Sequence, residues 1–426
     1  MPYVPFETQR VELRRQSAHS ASTAFAAVSC LVLLASCGAD QREPPRRAAL
    51  STLQPLVPPS GNPARAGYAP WPSSGHDAAH SGAAPVTGPR TGRLRWRRRL
   101  DGPVVPGPAI GAGGIAYAAS NGGVLHALDI TTGRDRWRFD GGASYGGDLS
   151  TTPLVTPAGI VVWPGPRETL FAVSRSGQEL WHVALGGQPL SPARAPDGTI
   201  IAGDMSGGLR ALRPAPSGPP RTLWKLDLGS ISYGSPAVAR DGTVYTTVDS
   251  DLVAVRAGRE LWRVHAGDLS EVSPAITPDG TIVFAANDGI AYGVRPDGKV
   301  RWRYKIGALT YSSPAATRDG LVYLGDHRGF VTALDAATGK PVLRVLGLGR
   351  TRARRSVGVW TQPVVDARHN VYFGTRPGHV YGFDVRGRRL FDIDAGATVD
   401  SYPALAADGT LLIGTEAGEL LAIADR

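Results

Sequence analysis

Eight times between Pro108 and Pro403 the chain restarts one short phrase: a small or polar residue, then Pro, then a short apolar run. It reads Gly107-Pro108-Ala109-Ile110, Thr152-Pro153-Leu154-Val155, Ser191-Pro192-Ala193, Ser235-Pro236-Ala237-Val238, Ser273-Pro274-Ala275-Ile276, Ser313-Pro314-Ala315-Ala316, Gln362-Pro363-Val364-Val365 and Tyr402-Pro403-Ala404-Leu405. Successive prolines are 45, 39, 44, 38, 40, 49 and 40 positions apart. A period near forty with strand-like content marks a propeller blade rather than a helical solenoid.

One unit shows the content. Ser235–Ala239 reads as a short strand and Asp241-Gly242 as the turn that ends it. Thr243–Val248 alternates and is β-branched, which reads as a second strand. Leu252–Val255 supplies a third and Glu260–Val264 a fourth. The pair recurs at the first turn as Asp197-Gly198, Asp279-Gly280, Asp319-Gly320 and Asp408-Gly409, and suits a two-residue hairpin with positive φ at both centres. In the fourth strand a Trp recurs at 96, 137, 181, 224, 262 and 302, with Leu343 and Phe391 in the remaining slots. An aromatic there can cover the seam between neighbouring sheets. A Gly five positions later, as at Gly142 and Gly229, lets the chain bend towards the next blade.

The count decides closure. There are eight first strands, but one fourth strand, Arg93 to Leu100, precedes them all, and the last repeat stops at its third strand, Leu420–Ile423. The expected fold is therefore all-β: an eight-bladed propeller of four-stranded antiparallel blades, closed by the N-terminal strand so that no sheet edge is left to aggregate. The propeller is expected over residues 89–426.

Ala127-Leu128-Asp129-Ile130-Thr131-Thr132-Gly133-Arg134-Asp135-Arg136-Trp137 resembles the docking motif A-x-D-x-x-T-G-x-x-x-W of the pyrroloquinoline-quinone-type β-propeller repeat family, with every fixed position present. Ala333–Gly339 repeats its front half, with Leu343 where Trp belongs. Trp71-Pro72-Ser73-Ser74-Gly75-His76-Asp77, with Ser81-Gly82, looks like the segment that often precedes such propellers. The resemblance runs from Trp71 to the C-terminus and speaks for the fold more than for a function.

The two cysteines, Cys30 and Cys37, fall in the N-terminal segment. Arg10, Arg14 and Arg15 precede an apolar stretch from Ala21 to Ala35, short for a membrane span and suited to a secretory signal. Leu34-Ala35-Ser36-Cys37 matches the lipobox of bacterial lipoproteins, which implies a signal peptide over 1–36 and a diacylglyceryl group on the Cys37 thiol. Residues 37–88 then hold the lipidated Cys, a Pro/Arg-rich tether and the leader. Gly38 in the place after that cysteine implies outer-membrane sorting, on the periplasmic face. The formal charge of +10 comes almost wholly from Arg, with only four Lys. With export expected, that basicity is read as composition, and no nucleic-acid partner is expected.

The resemblance also defines what an enzyme would need. The quinone-dependent dehydrogenases of the family carry adjacent cysteines in a disulfide, Glu and Asn ligands for calcium, and an Asp base. The two cysteines here are not adjacent, and the blades lack large insertions. No cofactor, no metal and no catalytic residue are expected. His76 and His80 would share a helix face, but Pro72, Gly75 and Gly82 around them argue against a helix and hence a zinc site.

Two connections outgrow the repeat. From Trp137 to Pro153 the interval is 16, and from Leu343 to Pro363 it is 20, against 12 in regular blades. Both join a fourth strand to the next first strand, so they emerge on one face. They carry Tyr145 in one case and Arg350, Arg352, Arg354, Arg355 and Trp360 in the other. Arg, Tyr and Trp are enriched at binding hot spots. These six are the expected contacts for a protein partner, the arginines facing acidic groups and the aromatics anchoring. The expected function is a monomeric, non-catalytic, lipid-anchored scaffold in the periplasm. The family's lipoprotein branch implies a place in outer-membrane protein assembly. The alternative is a periplasmic quinoprotein-like dehydrogenase or ligand-binding sensor.

Overall fold

The structure is a computed structural model that describes residues 71–105, 107–144, 151–215, 218–347 and 358–425. Its strands form eight four-stranded antiparallel sheets. Seven are continuous meanders. Blade 1, for example, runs through Ala109–Gly111, Ile115–Ser120, Val124–Asp129 and Asp135–Asp140. The eighth joins Ala404–Leu405, Leu411–Gly414 and Glu419–Ala424 to Arg93–Arg99, the first strand of the chain. The register pairs Leu94 with Ile423 and Trp96 with Ala422. The N-terminal closure expected from the strand count is what the structure shows.

In blade 1 the second and third strands are almost fully buried and the fourth alternates between half-buried and exposed, with burial decaying towards the rim. Leu411, Leu412, Ile413, Leu420, Leu421 and Ile423 of the closing blade are completely buried and pack with Trp71 and Ile110. Burial of each such side chain contributes about 1.5–3 kcal/mol, so the joint between the chain ends is as apolar as any other seam.

The polar residue of the repeated phrase has a definite task. The Thr152 N–H donates to Ser191 Oγ at 2.8 Å and the Ser191 N–H to Ser235 Oγ at 3.1 Å. The Ser235 N–H donates to Ser273 Oγ and the Ser273 N–H to Ser313 Oγ, each at 3.0 Å. A chain of hydroxyls thus links five inner strands where no sheet ladder can reach. Ser313 Oγ then lies 3.1 Å from the Tyr402 hydroxyl of blade 8.

The fourth-strand aromatics bind the rim. Indole N–H groups of Trp96, Trp137, Trp262 and Trp302 donate to Ile130, Arg175, Pro296 and Ala336, each a carbonyl in the 3–4 turn of the following blade. A glycine in that turn lies under the ring. A Cβ on Gly133 would stand 2.8 Å from Trp96. The broken blade keeps this joint. Gly92, at φ +63°, sits under Phe391, with room for a Cβ only 2.4 Å from its ring. Asp425 Oδ1 accepts from the Arg90 and Thr91 N–H groups at 2.7 Å and from Thr91 Oγ1 at 2.9 Å. Asp129 does the same for Thr131 and Thr132 within blade 1. The docking turn is thus rebuilt from the two ends of the described chain.

The first turns correct one expectation. Gly198, Gly242, Gly280, Gly320 and Gly409 have positive φ, but the aspartates before them do not. The Gly198 N–H donates to Ala195 O and the Ala195 N–H to Thr199 O, so the turn is longer than two residues. Asp197 acts through its carboxylate, which accepts from the Thr199 N–H and hydroxyl. Only the glycine needs the left-handed region; the aspartate closes the turn as a side-chain acceptor.

The leader is stitched to the inner strands. Trp71 exchanges backbone hydrogen bonds with Ile110, and the carbonyls of Pro72, Ala78, Ala79 and Gly82 accept from Val155, Val238, Ile276 and Val365. Those partners belong to the first strands of blades 1, 2, 4, 5 and 7, and the last four are the final residues of their strands, beside the 1–2 turns. The leader therefore crosses the axis of the ring on that side. His80 is buried there, its Nδ1 3.0 Å from Pro274 O, while Gln362 Nε2 donates to Pro314 O and His80 O. Burial pushes the imidazole pKa down, so the neutral ring is the donor. His76 instead meets Ser81 and Asp77. The two histidines do not share a helix face.

Candidate binding surface

A meander places the 1–2 and 3–4 turns on one face of the ring, the leader face. The 2–3 turns and the blade-to-blade connections lie on the other, the loop face. Trp360 stands on the loop face, in the connection from Pro341–Leu346 of blade 6 to Val364–Val365 of blade 7. Arg350, Arg352, Arg354 and Arg355 of that connection, and Tyr145 of the other long one, lie outside the described residues, as does Cys37.

Around Trp360 the fold gathers side chains from three blades. His327, in the 2–3 turn of blade 6, stacks on the indole at 5.0 Å between centroids and 7° between planes. Tyr311, from the connection into blade 6, meets both rings edge-on at 4.6 Å. On Trp360 the guanidinium of Arg376, from the 2–3 turn of blade 7, lies 4.0 Å from the ring centroid. Arg376 is itself 3.6 Å from Asp400 and 3.7 Å from Glu416, at blade 8. The Trp360 Nε1–H is buried and has no hydrogen-bond partner among the described residues.

Both ends of the long connection are pinned. The Gly347 N–H donates to Gly329 O, the Val359 N–H to Asp326 O and the Arg376 N–H to Gly358 O. Asp326, almost fully buried, takes the Arg328 and Phe330 N–H groups and an ion pair with Arg344 at 3.2 Å. Trp360 is thus a packed member of an aromatic–arginine stack, with its faces occupied. It stands beside the long connection as part of this stack and does not present an open ring. Tyr311, His327 and Arg376 were not read as one site from the sequence. Their separations follow blade geometry, and no local motif unites them. The one available signal is that each sits in a segment that opens on the same face.

Stacking and cation–π contact can bind and orient but break no bonds. The described residues include no group of three His, Cys, Asp or Glu placed to hold a metal. Glu271 and Asn287 do pair, Asn287 Nδ2 donating to Glu271 Oε2 at 2.8 Å. The chain has no adjacent cysteines of the kind the quinone-dependent dehydrogenases carry.

The profile of the family described as "Outer membrane protein assembly factor BamB" matches residues 82–218 and 215–426. Among curated proteins, the serine/threonine-protein kinase AfsK of Streptomyces coelicolor is 31% identical over 178 residues, 41% of this chain and 20% of the kinase. The chain thus spans about a fifth of that relative's length. Among solved structures, BamB from Moraxella catarrhalis aligns with a TM-score of 0.60 at 17% identity, over 78% of this chain and 99% of that one. The quinohemoprotein alcohol dehydrogenase of Comamonas testosteroni aligns at 0.64 and 14%, over 88% and 83%. At such identities these two likenesses speak for the fold alone, an architecture shared by an assembly factor and an enzyme. The profile match spans every blade, and on it the chain belongs to the BamB family of pyrroloquinoline-quinone-like propellers.

Proposed function

We propose that this chain is a non-catalytic binding propeller, exported and anchored by lipid at Cys37. Its loop face holds a protein partner in outer-membrane protein assembly. The observation that carries the reading is the Arg376–Trp360–His327 stack, a rigid aromatic footing beside the longest blade connection. Family membership supports the assembly role, and the lipobox residues support the anchor. Recognition tends to reside on loops held by a rigid scaffold. Arg350, Arg352, Arg354 and Arg355 supply charge for an acidic surface, with Tyr145 and Trp360 beside them.

The test is capture of partners by the full-length lipidated protein, with mass spectrometry, comparing wild type with the Arg350/352/354/355→Ser variant. Loss of envelope partners in the variant alone is the expected result. An identical partner list in both removes the loop face from the account. Cys37→Ser should leave unprocessed or released protein, and normal labelling by a palmitate analogue would remove the anchor.

A further inference from the structure

On the leader face, a cavity of about 770 Å³ opens between the leader and blades 4, 5 and 6. That volume is typical of small-molecule sites, which run to roughly 300–1,000 Å³. Its apolar lining comes from Val238, Ile276, Ala316, Pro278, Pro296 and the ring of Tyr245. Arg240, in the first turn of blade 4, and Arg318, in that of blade 6, also line it.

The cavity wall carries two guanidinium groups and two carboxylates, and the carboxylates have partners of their own. The carboxylate after Arg240 along the chain, Asp241, is held by the Thr243 N–H and hydroxyl and lies 3.3 Å from Arg256. The one after Arg318, Asp319, accepts from Thr317 Oγ1 and lies 3.5 Å from His369 Nε2. The remaining wall carboxylate, Asp77, accepts from the Ala79 and Ser81 N–H groups and the Ser81 hydroxyl, with His76 Nδ1 at 3.5 Å. Neither Arg240 nor Arg318 has an ion-pair partner among the described residues. The first-turn positions that carry them hold Pro196, Pro278 and Ala407 in blades 3, 5 and 8. The ring fold does not require arginine there.

We propose that this cavity binds a small organic anion, whose carboxylate or phosphate is held by Arg240 and Arg318 and whose apolar body rests on Tyr245, Ile276 and the two prolines. A guanidinium pair suits such oxygens, because each can donate two parallel hydrogen bonds. The inference is independent of the partner surface on the opposite face.

Isothermal titration of the full-length protein with phenyl phosphate, benzoate, inorganic phosphate and benzylamine tests it. Phenyl phosphate and benzoate should bind, inorganic phosphate should bind more weakly, and benzylamine should give no heat. Arg240→Gln and Arg318→Gln should each weaken phenyl phosphate roughly tenfold, the scale of a charge-assisted hydrogen bond. Both variants should keep the wild-type melting temperature. No heat from either aromatic anion at millimolar concentration would overturn the proposal. So would equal affinity in the double variant, equal binding of benzylamine, or inorganic phosphate binding as tightly as phenyl phosphate.

Discussion

On the leader face, five first turns share one geometry. The rim indoles dock into the 3–4 turns there, and the leader adds backbone hydrogen bonds to five inner strands. On the loop face the blade-to-blade connections differ in length, and Tyr311, His327, Trp360 and Arg376 form a stack there. One face repeats because every blade must solve the same packing problem. The other is free to vary because the sheets are already satisfied. The repeated joints and the cavity lie on the leader face, and under the proposed function recognition belongs to the loop face.

Removing the closing strand should have the largest effect. Deletion through Leu100 takes the fourth strand from blade 8 and exposes the edge of Glu419–Ala424. The expected loss is the whole stability of the ring, more than about 5 kcal/mol, whereas a chain lacking only residues 38–66 should melt like wild type. Equal melting temperatures for the two truncations would break the assignment of the leader face as the structural one. Next, Gly92→Ala places a Cβ against Phe391 at positive φ and should cost about 1–3 kcal/mol by denaturant unfolding. Loss of the Asp425 acceptor in Asp425→Ala should cost about 1–2 kcal/mol.

The leader should also respond to acid. Because burial lowers the folded pKa of His80, the unfolded chain takes up a proton first, near the ordinary value of 6.5. Stability from this group is fully present above that pH and falls as the pH drops from 6.5 through the lower folded value. His80→Asn should flatten the melting curve against pH over that window. An unchanged slope would show that the leader is not tied to the ring through this imidazole.

Much of this was legible because it recurs. Eight copies of the Pro phrase state the blade count, and the unmatched strand at Arg93–Leu100 states the closure. The split docking turn was also readable: Thr91-Gly92-Arg93-Leu94-Arg95-Trp96 repeats the T-G-R-x-R-W of Thr132–Trp137. It does not stand out as a motif because its Asp, Asp425, lies more than 300 positions away from its Thr-Gly. The leader's crossing could not be read, since its joints are backbone hydrogen bonds, which leave no side-chain pattern. The hydroxyl chain explains the Ser before Pro only once neighbouring blades are in place. The stack at Trp360 draws on residues whose successive members are 16, 33 and 16 positions apart, and their meeting depends on ring geometry.

On the loop face the effects on stability should be smaller and those on binding larger. Trp360→Ala removes the centre of the stack and should cost about 1–3 kcal/mol together with partner capture. The four-arginine variant should shift the melting temperature by less than about 2 °C.

The division between the two faces is tested most directly by partner capture across a salt series, comparing wild type, Arg350/352/354/355→Ser and Arg240/318→Gln in the full-length lipidated protein. The account predicts that the first variant loses both the partner and the salt sensitivity, while the second captures as wild type does. Equal capture and equal salt dependence in the loop-face variant, with loss in the leader-face variant, would contradict it.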